Sequence, residues 1–158
     1  MSLYLCKKFI IRAEVAEGED ELIAFDNVLL KCGIGDVSLI KTTSILPPDA
    51  ELVQNHEFPP GANVPAIYTT IISDKKGEKI AAAIAVAWTD GGPTLVAEYS
   101  ATGITKEDAE RKAIERVRIM ARNRNLKITR IETRAVDHIV ENCACAIAVV
   151  VEIPEMKS

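Results

Sequence analysis

Apolar positions recur every second residue along several stretches of this chain and at helical spacing along two others, so strands and helices can be told apart by period. Residues 8–15 read as a strand, with Phe9 and Ile11 on one face and Ile10 on the other. The acidic run Glu17-Gly18-Glu19-Asp20 reads as a turn. Residues 21–31 carry Leu22, Phe25, Leu29 and Leu30 at helical spacing, and Gly33 follows as a C-terminal cap. Residues 36–41 alternate again, Val37 and Leu39 against Ser38 and Ile40, and predict a strand. Residues 66–73 predict another, closed by the turn Asp74-Lys75-Lys76-Gly77.

The stretch 80–88 is the instructive one. Its alanine content favours a helix, but Ile80, Ala82, Ile84, Val86 and Trp88 alternate with Ala81, Ala83, Ala85 and Ala87. The period of two decides for a strand. Asp90-Gly91-Gly92-Pro93 is a turn, and 94–99 a strand. Residues 105–124 form the clearest helix: Thr105 is a good N-cap with Asp108 three residues on, and Ala109, Ala113, Val117 and Met120 form the apolar stripe. Arg111, Lys112, Arg116, Arg118 and Arg122 read as its solvated face, with Glu107–Arg111 and Asp108–Lys112 as offsetting i,i+4 pairs. Strands at 128–136 and 143–152 complete the pattern. Strands with two helices inserted predict the α+β class.

Composition adds bounds. A chain of 158 residues, 48% hydrophobic but only 4% aromatic, predicts one domain with a core of Ile, Val, Leu and Ala. Such small side chains bury little area each, which points to further burial between subunits. The net charge of −4 argues against a nucleic-acid-binding surface. Four cysteines without a C-x-x-C pair, and only His56 and His138 beside them, argue against a metal site. Cys143 and Cys145 sit at strand spacing and read as buried thiols in a reducing cytoplasm. The N-terminal residues have the wrong charge order for a signal peptide, and no apolar run could span a membrane.

One segment carries candidate chemistry. In Lys41-Thr42-Thr43-Ser44-Ile45-Leu46-Pro47-Pro48 a hydroxyl residue follows another at a strand exit, before a double proline. A serine held there can attack the preceding carbonyl and shift the amide to an ester. Elimination and hydrolysis then leave a pyruvoyl ketone, which forms a Schiff base with an amine and draws electrons from it. The plainer reading is a serine capping a turn. Five of the seven prolines lie between Pro47 and Pro65, and this stretch reads as a stiff, irregular, extended loop. Glu98 is the second candidate: an acid within Leu95-Val96-Ala97-Glu98-Tyr99, where a charge is costly without a partner or a task. It either protonates a carbanion from a burial-raised pKa or faces solvent.

Ala24-Phe25-Asp26, Leu29-Leu30, Gly33-Ile34-Gly35-Asp36-Val37, Thr43-Ser44-Ile45-Leu46-Pro47-Pro48-Asp49-Ala50-Glu51 and Glu98-Tyr99, in this order, resemble the pyruvoyl-dependent arginine decarboxylases, from about Phe9 to Val150. The resemblance implies an αββα sandwich assembled as a homotrimer with active sites between subunits. It implies cleavage of the Thr43–Ser44 bond into a β chain 1–43 and an α chain 44–158, with the pyruvoyl group derived from Ser44 and no need for pyridoxal phosphate or metal. Glu98 would be the proton donor. Asp26 would pair with the guanidinium of the substrate arginine, against the plain alternative of an acid stabilising a helix start, and Gly35, Asp36 and Val37 would line the same pocket. Ser38 stands where the family often has asparagine, and Thr43 where serine is more usual. Both bear on processing, and Ser38 also on substrate choice. The same machinery acting on another amino acid, or an unprocessed ligand-binding trimer, remain the alternatives.

Overall fold

In a computed structural model of the protein, residues 5–155 are described; the first residues of the stretch compared above with a signal peptide lie outside them. Strand β1 (Lys8–Glu17) leads to helix α1 (Glu21–Lys31). Then follow β2 (Ser38–Lys41), β3 (Ile45–Leu46), β4 (Glu51–Leu52), β5 (Asn63–Ser73), β6 (Lys79–Thr89), β7 (Thr94–Thr102), helix α2 (Lys106–Asn123), β8 (Ile128–Ile139) and β9 (Ala144–Ile153). The strands form one sheet in the order β2-β5-β9-β1-β4 and a second in the order β3-β7-β6-β8. The α+β class read from the pattern is the class observed.

Period-two alternation explains the layering. Ile80, Ile84, Val86 and Trp88 of β6 meet Phe9, Ile11, Ile67 and Val150 of the other sheet in one buried cluster. The opposite face of β6, Ala81, Ala83, Ala85 and Ala87, packs on Ala109, Ala113, Val117 and Ala121 of α2. Small residues on both surfaces let the helix approach closely. Helix α1 covers the outer face of the five-stranded sheet through Ala24 and Val28, above Ile147, Val149 and the thiols of Cys143 and Cys145. Both thiols face one side, as their spacing required, and burial pushes that of Cys145 up to about 12. The four layers are therefore helix, sheet, sheet, helix.

The helix ends follow local chemistry. Asp20 caps α1, its side chain accepting from the Ile23 amide at 2.9 Å. Gly33 ends it at φ +79°, where a side chain would be strained. Thr105 and Asp108 form the reciprocal capping box of α2.

Several readings are corrected. Glu17 ends β1 rather than belonging to the turn; its carboxylate accepts from the amides of Glu141, Asn142 and Cys143, tying down the β8–β9 connection. On α1 the fully buried residues are Ala24 and Val28, while Leu22 and Leu30 are 72% and 53% exposed. The ion pairs of α2 have i,i+3 spacing, Asp108–Arg111 and Lys112–Glu115, instead of the expected i,i+4. The proline-rich stretch is not wholly irregular: it contains β4, and β5 starts within it at Asn63. Pro65 is tolerated because pairing with β9 begins only at Ala66, so no bond to β9 is lost.

Candidate active site

The chain passes from one sheet to the other within three residues. β2 belongs to the five-stranded sheet, and its pairing continues one step as the Thr42 amide donates to Ala66 O at 2.9 Å. β3 belongs to the four-stranded sheet: Ile45 pairs with Leu95, and Ser44 O accepts from the Val96 amide at 3.0 Å. Thr43 is exposed between these anchors, and Ser44 is half-buried. The Ile45 amide donates back to Thr43 O at 3.0 Å, so residues 43–45 form a tight γ-type turn. A short strand on each side, with no slack between, is what holds the Thr43–Ser44 peptide in one geometry.

Ser44 lines a cavity of about 320 Å³ with Ala97, Glu98, Arg116, Ile119 and Met120. Glu98 projects from β7, and its Oε2 is buried with no hydrogen-bond partner among the described residues. Burial raises the carboxyl above the usual range, opposed by the nearby charges of Lys41 and Arg116. Such a carboxyl keeps its proton more readily than an exposed one, which suits a proton donor. Arg116 leans from α2 onto β7. Its Nη1 donates to Glu98 O at 2.8 Å and its guanidinium lies 4.9 Å from the centre of the Tyr99 ring.

The predicted site residues fall into two groups. Ser44 and Glu98 share the cavity, and Thr43 adjoins it in sequence. Asp26, Gly35, Asp36, Val37 and Ser38 do not line it. Asp26 lies on α1, Gly35, Asp36 and Val37 in the α1–β2 connection, and Ser38 at the start of β2, the edge strand of the five-stranded sheet. Asp26 is exposed between Leu22 and Leu30, one helical turn from each. Gly35 abuts α1 so closely that a Cβ there would stand 2.4 Å from Leu30 Cδ2. Asp36 O accepts from the Gly61 amide at 2.7 Å, and the Ser38 amide donates to Ala62 O at 2.8 Å. Within one chain these residues form a separate polar edge.

Two residues escaped the sequence reading. Arg116 was expected on a solvated face but borders the cavity; its helix position alone carries no signal of that. Glu152, buried in apolar β9, accepts from Thr42 Oγ1 at 2.7 Å. It carried the same signal as Glu98, an acid inside an apolar strand.

The fold and the cavity define a class: an α+β protein in which a serine on a tight crossing between two sheets shares a cavity with a half-buried acid, one of whose oxygens is buried with no hydrogen-bond partner among the described residues. Comparison with known proteins gives the family. Residues 8–156 match the family described as pyruvoyl-dependent arginine decarboxylase. A protein of that name from Methanothermobacter thermautotrophicus is 39% identical over 149 residues, covering 94% of this chain and 98% of its own length. One from Methanocaldococcus jannaschii is 44% identical over 135 residues, covering 84% and 81%. A third, from Thermococcus kodakarensis, is 38% identical over 159 residues, covering 98% and 99%. The chain belongs to the pyruvoyl-dependent arginine decarboxylase family.

Proposed function

We propose that this chain cleaves itself between Thr43 and Ser44 and then decarboxylates L-arginine to agmatine and carbon dioxide. The observation that carries this is the shared cavity of Ser44 and the orphaned Glu98 Oε2, at the point where the chain crosses between sheets. Ser44 Oγ adds to the Thr43 carbonyl carbon, and the peptide becomes an ester. The Ser44 α-proton leaves, the ester C–O bond breaks, and Thr43 departs as a carboxylate. The dehydroalanine left at position 44 takes up water and releases ammonia, which leaves the pyruvoyl group. The residues present fit that group: a half-buried position at the cavity wall, and a buried acid oxygen with no other partner facing the same space.

A pyruvoyl group at position 44 would supply a ketone for imine chemistry with the substrate amine and a sink for the electron pair freed with carbon dioxide. Glu98 holds a proton on its carboxyl and delivers it to the carbon that lost carbon dioxide. Arg116 fixes the β7 backbone at Glu98. Pyridoxal phosphate and metal have no part in this scheme.

The assembly proposed is a homotrimer with the site between subunits. The stripe Leu22, Asp26 and Leu30 supports it: large apolar side chains left in water on both sides of an acid. Ile119, 37% exposed, lines the cavity, and Ile45, 39% exposed, follows Ser44 in the chain. Docking one face on the other would bury both and bring Asp26, with Gly35, Asp36 and Val37, toward the substrate guanidinium. A carboxylate and a guanidinium make the paired, charge-assisted contact that selects arginine. Among the described residues no helix is long and apolar enough to cross a membrane, and the buried thiols of Cys32, Cys143 and Cys145 suit a reducing cytoplasm.

Intact-mass analysis of freshly purified protein tests the reading. The expected result is two fragments, 1–43 and 44–158, the larger one lighter by one ammonia than the same fragment with an N-terminal serine. A single uncleaved species persisting for days in folded protein would overturn it.

A further inference from the structure

On the face that β9 turns toward the four-stranded sheet, Ala144, Ala146, Ala148 and Val150 belong to the apolar cluster between the sheets. Glu152 comes next on that same face. It is 8% exposed, and burial raises its carboxyl above the ordinary range, opposed by the hydrogen bond from Thr42. A carboxyl in such a position destabilises the fold unless something is gained from it. What it does here is hold Thr42, whose Oγ1 donates to Oε2 at 2.7 Å.

Thr42 is the last residue the five-stranded sheet grips before the chain crosses over. Its amide is bonded to Ala66 O, and the Glu152 contact adds a second hold through the side chain. The hold matters because there is space on this side. A second cavity, of about 360 Å³, is lined by Thr42, Ile45, Pro47, Pro65, Pro93 and Glu152 among others and shares no lining residue with the Ser44–Glu98 cavity. A crossing segment released at Thr42 has room to relax into it, and small displacements of reacting groups cost large factors in rate.

We infer that Glu152 is a positioning residue for self-cleavage: by gripping the Thr42 hydroxyl it keeps the Thr43 carbonyl within reach of the Ser44 hydroxyl and out of the neighbouring cavity. This rests on the self-cleavage reading above. The role needs an acceptor of the right length, not a negative charge.

The test is the rate of chain cleavage, followed by intact mass from the moment of purification, in wild type, Glu152→Gln, Glu152→Leu, Thr42→Val and the Glu152→Leu/Thr42→Val double variant. Thermal melting of the same samples reports any loss of fold. Glu152→Gln keeps an acceptor and should cleave within a few-fold of wild type. Glu152→Leu and Thr42→Val should each slow cleavage by about tenfold or more, the rate equivalent of one oriented hydrogen bond. The double variant should be no slower than the slower single, since both remove one contact. Thr42→Val breaks the same bond from a half-buried position, so it decides the matter even if Glu152→Leu fails to fold. Singles that cleave at the wild-type rate while melting lower would make Glu152 merely structural. Additive slowing in the double, or Glu152→Gln as slow as Glu152→Leu, would equally overturn the inference. Absence of cleavage in wild type is a different outcome: it removes the self-cleavage reading itself.

Discussion

The amide of Ile45 donates a 3.0 Å hydrogen bond to the carbonyl oxygen of Thr43, across the serine between them. This is the carbonyl that Ser44 Oγ would attack. A donor already aimed at its oxygen polarises it in the ground state and stabilises the oxyanion that forms on addition, without reorganisation. Ile45→Pro deletes that donor, while Ile45→Ala keeps it. Cleavage followed by intact mass should slow by about 10²–10³-fold in the proline variant, the usual cost of losing an oxyanion donor. The alanine variant should stay near wild type. Equal rates in the two would assign the turn no part in cleavage.

Glu98→Gln should still be cleaved, because Ser44 and the turn are untouched, yet lose most turnover. An amide cannot supply the proton, and a positioned general acid is worth about 10²–10⁴-fold. Decarboxylation assays on fully cleaved protein check this. A loss below tenfold would move the donor elsewhere.

The charge beside Glu98 sets the direction of a pH effect. Burial raises the carboxyl, and Lys41 and Arg116 draw it back down. Arg116→Met removes one of these opposing charges, so the carboxyl keeps its proton to higher pH. The alkaline limb of the kcat profile should therefore move upward relative to wild type. An unmoved limb would mean that some other group titrates in that range.

The alternation in β6 was legible because big and small side chains really do face different layers, Ile84 toward the other sheet and Ala83 and Ala85 toward α2. The C-terminal end of α1 was legible from Gly33, while its N-cap Asp20 was read only as part of a turn. The buried face of α1 was not legible. Leu22 and Leu30 outweigh Ala24 and Val28 in any apolar pattern, and periodicity cannot tell a face packed on its own sheet from one left exposed. The two-residue strands β3 and β4 lie at or between prolines and carry no period at all. Ser44 and Glu98 were readable as chemistry out of place, a hydroxyl pair at a strand exit and an acid in an apolar strand. Arg116 was not, since a basic residue on a basic helix looks solvated until the packing of α2 on β7 is known.

Glu17 links stability to pH. Burial raises its carboxyl, but the amides of Glu141 and Asn142 and the His138 side chain outweigh this, and the net shift is downward. A depressed carboxylate contributes stability above its unfolded-state pKa and loses it as pH falls through the folded-state value. Glu17→Gln should lower stability at pH 7 by about 1.5–3 kcal/mol, the range for hydrogen bonds to a charged group. The gap between variant and wild type should close in acid. Thermal melts from pH 7 to pH 3 check this, and a gap that persists at the acid end would assign the loss to packing.

The last prediction concerns the two groups of site residues. Asp26 lies on α1 outside the five-stranded sheet, and Glu98 lines a cavity beneath α2, yet both are proposed to act on one arginine. That requires two chains per site. Asp26→Asn alone should be cleaved normally and use arginine poorly, because an unpaired guanidinium in a desolvated site costs several kcal/mol. The plain alternative of an acid steadying a helix start does not fit, since Asp26 is the sixth residue of α1, beyond its first turn; as a mere surface acid its substitution would change activity little. In wild type, lysine and ornithine should be poor substrates, since an ammonium cannot match the paired geometry. Now let Asp26→Asn and Glu98→Gln chains be co-expressed in equal amounts. In the proposed trimer, each homogeneous assembly should be nearly inactive. In mixed trimers some interfaces join the intact Asp26 of one chain to the intact Glu98 of another, about a quarter of all sites for random cyclic assembly. Arginine decarboxylation should therefore return to roughly that fraction of wild type. If Asp26 and Glu98 served one site from the same chain, no mixed trimer could contain an intact site and nothing would be recovered. Recovery with arginine, together with cleavage near completion in every sample, separates a site between chains from one within a chain.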